Sequence, residues 1–587
     1  MPALARALAE FNGLKASSTV QVAMQNLARH DPSSLSPRPH TTRSYLGGPA
    51  YARADYRRAA IDTSTTQPFF IMAIQLEGNA LLYTVTTLTC LGFLLIGFDN
   101  GLMGGFINSP AFTETFGIDK TTNKGTNLIA IIVAIYEIGC FIGAVITSFI
   151  GESLGRRKSI LIGVLIMIVG ALLQATAYHI PHMLVGRIVS GVGMGFINST
   201  VPVLQAEFSP KASRGRYVCA QLSTLNFGKA SFETSLAWLI PGIMMVYWID
   251  YAFSTLENGR STSYIWRVPT ILQCVFLIPM IFIIFIIPET PRWLAARDRN
   301  EEALEILTRL NKGKMSHEEI QSIHSDIVRT VAIERSIGAG TWGDLLKNDS
   351  IQSRRRFLIA CGIQAFQQLG GINALIYYSG TIFQDSLGFD AHLSGLMSGF
   401  LNTWFFLASF IPWFLIDKVG RRPLLLSMVS LMAGVMAVQA ALVYQTQQET
   451  SIAHSAGIGA AAMLFIFQGA FTVGFQATVW VYPSEILPLR LRQRGSSIST
   501  GTNWIMNFLI VYITPPAIRN IKWRTYIIFA VLNATWVPIM YLFFPETKGL
   551  ALEDVDRLFT KEGFEEGFDA AMDEKNVSYL TDRIEKV

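Results

Sequence analysis

Long apolar stretches separated by short polar ones make up most of the chain from about residue 76 onward. Apart from the fifth, which is longer, each stretch has about the length that a helix needs to cross a hydrocarbon layer of about 30 Å. They lie near residues 80–106, 127–149, 159–178, 183–205, 217–252, 266–287, 356–383, 392–416, 423–445, 457–482, 495–516 and 525–544. The pattern predicts an all-α membrane protein with twelve transmembrane helices, which we number segments one to twelve.

A polar stretch at residues 288–355 separates the first six segments from the last six. Within it, apolar residues recur at helical spacing with charges between them, at Ala303, Leu304, Ile306, Leu307 and Leu310. This spacing is typical of amphipathic helices at a membrane surface. We therefore predict a six-helix lobe at 76–287, cytosolic helices at 288–355 and a second six-helix lobe at 356–546.

Both ends of the chain are predicted to be tails. Residues 1–75 are rich in Ser, Arg and Ala and contain no long apolar run, so they cannot bury enough surface to fold alone. We interpret them as a disordered cytosolic tail; an organelle-targeting sequence is the alternative, and the mature chain could begin at Met72. Residues 547–587 form a cytosolic C-terminal tail in this interpretation.

Basic clusters fall on one side of the predicted membrane. When successive segments alternate in direction, this side carries the clusters at 156–158, 211–216, 354–356, 421–422 and 490–494. By the positive-inside rule it faces the cytosol, and both termini lie there. We predict a multi-pass protein of the plasma membrane.

The two predicted lobes repeat a short motif. Gly155-Arg156-Arg157 follows segment two, and Gly420-Arg421-Arg422 follows segment eight at the matching place. An internal repeat of this kind is typical of transporters whose binding site lies between two lobes.

Composition narrows the possible functions. The chain is 51% hydrophobic and 15% charged, which is more apolar than a soluble protein of this length. Its net charge of +5 is spread over short clusters, which argues against nucleic-acid binding. The five cysteines lack metal-ligand spacing, and no nucleotide loop or nucleophile motif occurs. We predict no cofactor and no enzymatic activity.

Segment five is too long for a single crossing. It includes a stretch at about 229–242 that carries Lys229, Glu233 and Pro241. Without this stretch, residues 226–228 would join 243–245 and form an ordinary helix. A retained short intron is one hypothesis, and a re-entrant kink is the other.

Several motifs resemble those of the sugar porter family of the major facilitator superfamily, in its fungal monosaccharide-transporter form. Segment six ends in Pro288-Glu289-Thr290-Pro291-Arg292-Trp293-Leu294, and segment twelve ends in Pro545-Glu546-Thr547-Lys548-Gly549. Further matches are Gly186-Arg187, Gly191, Gly193, Gly195, Asp417-Lys418-Val419-Gly420-Arg421-Arg422 and Pro483-Ser484-Glu485. The resemblance covers about residues 76–560 and implies the two-lobed major facilitator fold.

Segment seven carries four amides, Gln364, Gln367, Gln368 and Asn373. The three glutamines share one face of a helix, and an amide that faces lipid would be costly. A sugar needs partners that both donate and accept hydrogen bonds. This face is therefore a candidate binding surface between the lobes, with helix packing as the alternative interpretation.

The resemblance implies further site residues. Those matching the family's sugar contacts are Gln367, Gln368, Asn373, Asn402, Trp480, Asn503 and Trp504, and Tyr377 and Tyr378 match aromatics of the outer gate. For Asn503, Trp504 and the two tyrosines, simple packing is the alternative.

Three positions depart from the family pattern. Leu222 stands where the family has a sugar-binding glutamine, beside Gln221, which we keep as a candidate contact. Leu204 replaces a tyrosine and Ala477 a proline. One lost hydrogen-bond partner can change which sugar is preferred, so these departures leave its identity open.

Asp99 lies in segment one among several glycines. At membrane depth, desolvation favours a neutral carboxylate and a nearby cation favours a charged one, so a lobe movement can load or release a proton. We pair Asp99 with Arg187 in segment four. The resemblance implies proton symport for an acid at this position, although some facilitators keep it. Glu137 in segment two is interpreted as a packing residue or a contact to a polar neighbour.

Charged residues on the cytosolic side lie away from the predicted solute site. We predict that they pair across helix ends as a latch when the inside is closed, which requires partial burial because exposed pairs contribute little. They are Arg156, Arg157, Glu207, Glu289, Arg292, Arg421, Arg422, Glu485 and Arg492. Glu152 and Ser153 depart from the family's Asp-Arg and would weaken the latch of the first lobe.

The sequence thus predicts a carrier of a hexose or pentose that works by alternating access, with a proton as co-substrate and the lipid bilayer as surroundings. Within transport, the alternative is a facilitated-diffusion carrier. From another class, the alternative is a sugar-sensing receptor on the same fold, although such receptors usually have a longer tail than the about 40 residues after segment twelve.

Overall fold

The computed structural model describes residues 76–107, 109–120, 122–209, 242–255, 263–337, 342–349, 352–448, 451–476, 478–488, 491–548 and 554–559. These ranges contain helices and no strand. The N-terminal tail, Gln221, Leu222, residues 229–241 of the proposed intron, Ala477 and most of the C-terminal tail lie outside them.

The helices of the first lobe follow the predicted segments. Segments one to four are Gly78–Phe106, Asn123–Leu154, Arg156–Ala175 and Ile180–Phe208. Segment five is described over Gly242–Thr255, and segment six is Tyr264–Leu272 followed by Cys274–Ile286. A short helix, Pro110–Phe116, lies between segments one and two.

The second lobe follows the same order. Segment seven is Ser353–Leu369, Ile372–Thr381 and a π-helical turn at Ile382–Ser386; segment eight is Ala391–Ala408 and Ile411–Val419. Segment nine is Arg421–Thr446, and segment ten is Ala453–Phe471, a π-helical turn at Thr472–Gln476 and Thr478–Ile486. Segments eleven and twelve are Arg492–Ile521 and Arg524–Phe543.

Eight of the described helices are long and apolar enough to cross a bilayer. The other four predicted segments differ for identifiable reasons. Segment five is only partly described, segment seven breaks at Gly370 and Gly371, and segment eight breaks at Ser409 and Phe410. Segment eleven carries buried amides, which lower its hydropathy. Polar and interrupted helices at membrane depth are tolerated where they line a protein interior or a cavity.

Short helices occupy the stretch between the lobes. They are Pro291–Ala295, Asn300–Leu310, His317–Ile337 and a 3-10 turn at Trp342–Leu346. Asn300–Leu310 buries Ala303, Ile306, Leu307 and Leu310 on one side, as the apolar spacing predicted. Its position at the membrane surface stays a prediction.

Segments two and four cross at a ridge of glycines. A Cβ added to Gly139 would lie 2.4 Å from the carbonyl oxygen of Ile188, and one added to Gly195 would lie 2.4 Å from that of Cys140. Only residues without a side chain allow two helix backbones to approach this closely. The ridge therefore holds segment four, which carries Arg187, tightly against segment two.

The repeated Gly-Arg-Arg turns have the same structure in both lobes. Gly155 has φ 86° and ψ 169°, and Gly420 has φ 105° and ψ 166°. After each glycine, the first two backbone N–H groups of the next helix donate to one carboxylate. Glu289 accepts them at 3.1 and 3.2 Å in the first lobe, and Glu546 accepts them at 3.0 and 2.9 Å in the second. A carboxylate at a helix N-terminus satisfies unpaired donors and the helix dipole.

Alanine at either glycine is expected to destabilise the fold, because this backbone conformation is open almost only to glycine and costs other residues about 1–3 kcal/mol. The added Cβ would also lie 2.7 Å from the glutamate oxygen in each lobe. Thermal unfolding of the purified Gly420→Ala variant measures the loss. Gly434→Ala in segment nine is the matched control, because a Cβ there meets nothing within 4 Å. Equal stability of the two variants would contradict the prediction.

Candidate functional site

The amides of segments seven and eleven form one buried cluster. Nδ2 of Asn503 donates to Oε1 of Gln364 and to Oε1 of Gln367, each at 2.7 Å. Oδ1 of Asn503 accepts from Nε2 of Gln368 at 2.9 Å. One asparagine of segment eleven thus holds all three glutamines of the predicted face.

Asn373 joins the cluster from beyond the break in segment seven. Its Nδ2 donates to Oε1 of Gln368 and, at 2.6 Å, to Oδ1 of Asn507. Asn507 is 1% exposed and was absent from the sequence-based candidates. Its spacing of four residues from Asn503 was the available signal, since residues i and i+4 share a helix face.

The cluster has the chemistry that a polyhydroxylated solute requires. Each amide offers donors and an acceptor, and these are paired with one another across two helices. Exchanging amide–amide hydrogen bonds for amide–hydroxyl bonds keeps their number constant, so the desolvation penalty of unpaired groups is avoided. The cluster therefore offers donors and acceptors suited to hydroxyl groups, and its binding of a sugar stays a prediction.

The other three residues predicted to contact a sugar, Asn402, Trp504 and Trp480, do not take part in the hydrogen bonds described for the amide cluster. Asn402 is buried and donates to the carbonyl oxygen of Ser398 on its own helix at 2.9 Å, with no hydrogen bond to the cluster in the described chain. Trp504 is buried beside Asn503 along segment eleven. Trp480 is half-buried and packs against the apolar core. Direct contact of these three with a sugar stays a prediction.

Asp99 and Arg187 form a buried ion pair. Nη1 of Arg187 lies 3.1 Å from Oδ1 of Asp99, and both side chains are fully inaccessible. Nη2 donates to the carbonyl oxygen of Val133 at 3.1 Å, and the guanidinium lies 4.5 Å from the centre of the Tyr136 ring. The structure thus brings together the acid and the cation that we paired from the sequence. Their role in proton coupling stays a prediction.

The two tyrosines of the predicted outer gate are fully buried and have separate partners. The Tyr377 hydroxyl donates to Oε1 of Glu137 in the other lobe at 2.5 Å. The Tyr378 hydroxyl donates to the carbonyl oxygen of Val511 at 3.0 Å. The polar neighbour of Glu137 is therefore a phenol from segment seven.

The predicted latch residues form two matching networks, one in each lobe. Arg156 pairs with Glu207 at 2.9 Å, and Arg421 pairs with Glu485 at 3.2 Å. These four side chains are between 11 and 17% exposed, which meets the burial condition set above. Both pairs lie within a lobe, and their opening during transport stays a prediction.

The other basic latch residues bind backbone carbonyls or lie at helix starts. Arg157 donates to Ile284 at 3.0 Å, Arg422 to Tyr541 at 2.6 Å and Arg492 to Leu487 at 3.3 Å. Arg292 lies half-buried in the helix Pro291–Ala295. Glu546 was missed, although the repeated Pro-Glu-Thr motif at the end of segment twelve matches that of Glu289.

Glu289 lies outside the membrane segments and is partly buried. Burial raises its pKa above the ordinary glutamate value, against the opposing effect of the N–H groups of Thr290, Arg157 and Arg156 and of the Arg156 charge. The carboxylate of the first network therefore takes up a proton more readily than an exposed glutamate would.

Contacts also join the two lobes on the side opposite the Gly-Arg-Arg turns, which we call the outer side. Nη1 of Arg519 donates to Oγ1 of Thr126 at 2.7 Å and to the carbonyl oxygen of Lys120 at 3.1 Å. These contacts of Arg519 bridge segments two and eleven at their outer ends.

Lys120, whose carbonyl oxygen accepts from Arg519, is itself partly buried. Burial lowers the pKa of Lys120 to about 8, and the negative charge of Asp385 opposes this shift.

Segments five and eight are bridged in the same way. Nε1 of Trp248 donates to Oγ1 of Thr403 at 3.1 Å. The Tyr251 hydroxyl and Nε2 of His392 are 2.9 Å apart. The lobes thus meet along two pairs of helices related by the internal repeat.

A family model described as sugar (and other) transporter matches residues 85–559 of the chain. The chain belongs to the sugar transporter family of the major facilitator superfamily. The resemblance deduced from its motifs is thereby confirmed. As a member of this family, the protein is a multi-pass membrane transporter and not an enzyme.

Relatives from fungi span nearly the whole sugar transporter region. The chain is 33% identical over 504 residues to sugar transporter STL1 of Saccharomyces cerevisiae, covering 84% of this chain and 83% of that protein. It is 30% identical over 523 residues to quinate permease of Neurospora africana, covering 85% and 92%.

The fold of this sugar transporter is similar to that of the proton:xylose symporter XylE, solved with 6-bromo-6-deoxy-D-glucose. The TM-score is 0.68 at 22% sequence identity, over 82% of this chain and 100% of that chain. The predicted twelve-helix major facilitator fold is confirmed by this similarity and by the described helices.

Proposed function

We propose that this transporter carries a monosaccharide, a hexose or a pentose, across the plasma membrane by alternating access and together with a proton. The observation that carries the proposal is the presence of two buried polar groups, an ion pair in the first lobe and an amide cluster in the second. The amide cluster of segments seven and eleven supplies hydrogen-bond partners for hydroxyls, and the Asp99–Arg187 pair supplies a protonatable group.

The burial of Asp99 and Arg187 explains how a movement of the lobes is coupled to proton binding. A fully buried carboxylate beside a guanidinium is stable as an ion pair, and removal of the guanidinium leaves an uncompensated charge that favours proton uptake. A lobe movement that changes the distance between Arg187 and Asp99 therefore changes the proton affinity of Asp99. The protein of the similar structure is described as a proton:xylose symporter, which supports the proposal that this transporter also carries a proton.

Uptake measurements in a host without its own sugar transporters test the proposal. Labelled hexoses, pentoses and quinate are supplied one at a time, with and without a protonophore. We expect at least one monosaccharide to accumulate above its outer concentration, and the protonophore to reduce this to equilibration. Uptake that never exceeds equilibration would identify a facilitator. A sugar-dependent signal without uptake would identify a receptor. Accumulation of quinate alone would overturn the assigned substrate class.

A further inference from the structure

Glu137 lies between the buried ion pair and the amide cluster. Its carboxylate is fully buried in segment two and accepts the Tyr377 hydroxyl at 2.5 Å from the other lobe. The charges of Arg187 and Asp99 act on it, and the Asn507 amide lies beside it. The sequence-based prediction of the proton site did not include this residue.

The guanidinium of Arg187 pairs with Asp99, and its charge also acts on the second buried carboxylate, Glu137. When Asp99 and Glu137 are both ionised, Arg187 compensates one of them and leaves the other as an unpaired buried charge, which is strongly unfavourable. One proton on either acid makes the group neutral. The pair is therefore stable with one bound proton, and the proton and the guanidinium occupy opposite carboxylates.

The proton and the guanidinium can change places between Asp99 and Glu137 only if each group has atoms available for a new hydrogen bond. By strict hydrogen-bond geometry, Oδ2 of Asp99, Oε2 of Glu137 and Nε of Arg187 are buried without a partner in the described chain, although the Tyr136 hydroxyl lies near Asp99 and the Asn507 amide lies near Glu137. Each carboxylate thus has an oxygen that can take the proton, and the guanidinium has a donor besides those that hold Asp99 and Val133. The titratable groups that face Glu137 are Asp99, Arg187, Tyr136, Cys140 and Tyr377.

Hydrogen bonds continue from Glu137 to the amides. Asn507, beside Glu137, accepts from Asn373 at 2.6 Å, and Asn373 donates to Gln368. Tyr377 follows Asn373 by one helical turn on the same short helix, Ile372–Thr381. A sugar that displaces Asn373 therefore also acts on the position of the Tyr377 hydroxyl.

We propose that Glu137 is the positioning residue through which the proton on Asp99 closes the outer gate. A proton taken from outside onto Asp99 releases Arg187 to Glu137, the proton held by Glu137 leaves to the cytosol, and the ionised Glu137 carboxylate holds the Tyr377 phenol of the other lobe. Hydrogen bonds to an ionised acceptor are about twice as strong as neutral ones. Transfer of the Asp99 proton to Glu137 then returns Arg187 to Asp99 and restores the arrangement of the structure, in which the bridge to Tyr377 is neutral and weaker. The cycle moves a proton and rearranges hydrogen bonds, and no covalent bond of the sugar is made or broken.

This inference rests on the proposed symport, and the variants Glu137→Gln and Tyr377→Phe test it. Glutamine keeps an oxygen for Tyr377 and removes the charge; phenylalanine keeps the ring and removes the hydroxyl. In proteoliposomes we expect Glu137→Gln to reduce proton-driven accumulation at least tenfold, while exchange of internal for external sugar continues. We expect the pH dependence of sugar binding to flatten in both variants.

The double variant shows whether the two residues act through one bond. Residues that act together give a double variant no worse than the worse single one, whereas independent residues give additive losses. Tyr526→Phe removes a buried phenol of segment twelve that has no hydrogen bond to Glu137 or to the amides in the described chain, and it is the control. We expect it to keep the pH profile of the parent protein.

Different results overturn the inference and the symport proposal. If the parent protein never accumulates sugar above equilibration, symport itself is wrong, and if Asp99→Asn retains uphill accumulation, Asp99 is not the proton carrier. If Asp99→Asn abolishes it while Glu137→Gln and Tyr377→Phe keep the accumulation and pH profile of the parent protein, the role of Glu137 is wrong and symport stands. Reduced stability with an unchanged pH profile would show a structural role only. Should Glu137→Gln fail to reach the membrane, Tyr377→Phe alone decides, because it removes the same bridge.

Discussion

Asparagine in place of Asp99 is expected to abolish uphill transport while leaving the protein folded. The amide keeps the size of the side chain and an oxygen for Arg187, but it cannot bind the transported proton. A gradient of two pH units can drive about a hundredfold accumulation, since each unit is worth about 1.4 kcal/mol. For Asp99→Asn we expect a ratio of inner to outer sugar near one.

Accumulation of labelled sugar in proteoliposomes with an imposed pH gradient measures this ratio. Sugar exchange without a gradient is the internal control, because it does not require net proton movement. Asp326→Asn provides a matched variant, since Asp326 lies exposed on the helix His317–Ile337 between the lobes. Accumulation by Asp99→Asn equal to that of Asp326→Asn would rule out Asp99 as the proton carrier.

Alanine in place of Asn503 is expected to raise the sugar concentration needed for half-maximal uptake. This one side chain pairs with Gln364, Gln367 and Gln368, so its loss leaves several buried polar atoms without a partner. Each such atom costs about 1–3 kcal/mol. We expect an increase of about five- to hundredfold even where part of the cluster reorganises.

Initial uptake rates over a range of sugar concentrations give this value, with thermal unfolding as a check on folding. Gln439→Leu is the control, because Gln439 is a fully buried amide of segment nine outside the cluster. A half-saturating concentration that is unchanged in Asn503→Ala would remove the amide cluster from consideration as the sugar site.

Features set by local pattern were predictable from the sequence. Apolar length located the segments, and a spacing of three and four residues correctly grouped Gln364, Gln367 and Gln368 on one face. The break in segment seven falls at Gly370 and Gly371, the second of which has φ 98°. Such a conformation is readily adopted by glycine.

Features set by the packing of distant helices were not predictable in the same way. Which helix faces the glutamines depends on the rotation and depth of segment eleven, so Asn507 was missed. The bond between Glu137 and Tyr377 joins residues 240 positions apart, and no local spacing encodes it. Asn402 bonds to its own helix, and its contact with a sugar, which depends on how segment eight packs against segment seven, stays a prediction.

The two carboxylate-capped glycine turns have a consequence for the origin of the protein. Glu289 and Glu546 each accept hydrogen bonds from a glycine turn of their own lobe. Neither set of hydrogen bonds therefore requires the presence of the other lobe. A single six-helix ancestor could already have possessed this device. Its presence in both lobes is then inherited from before the gene doubled, and the contacts between Glu137 and Tyr377, which require two unlike copies, arose afterwards.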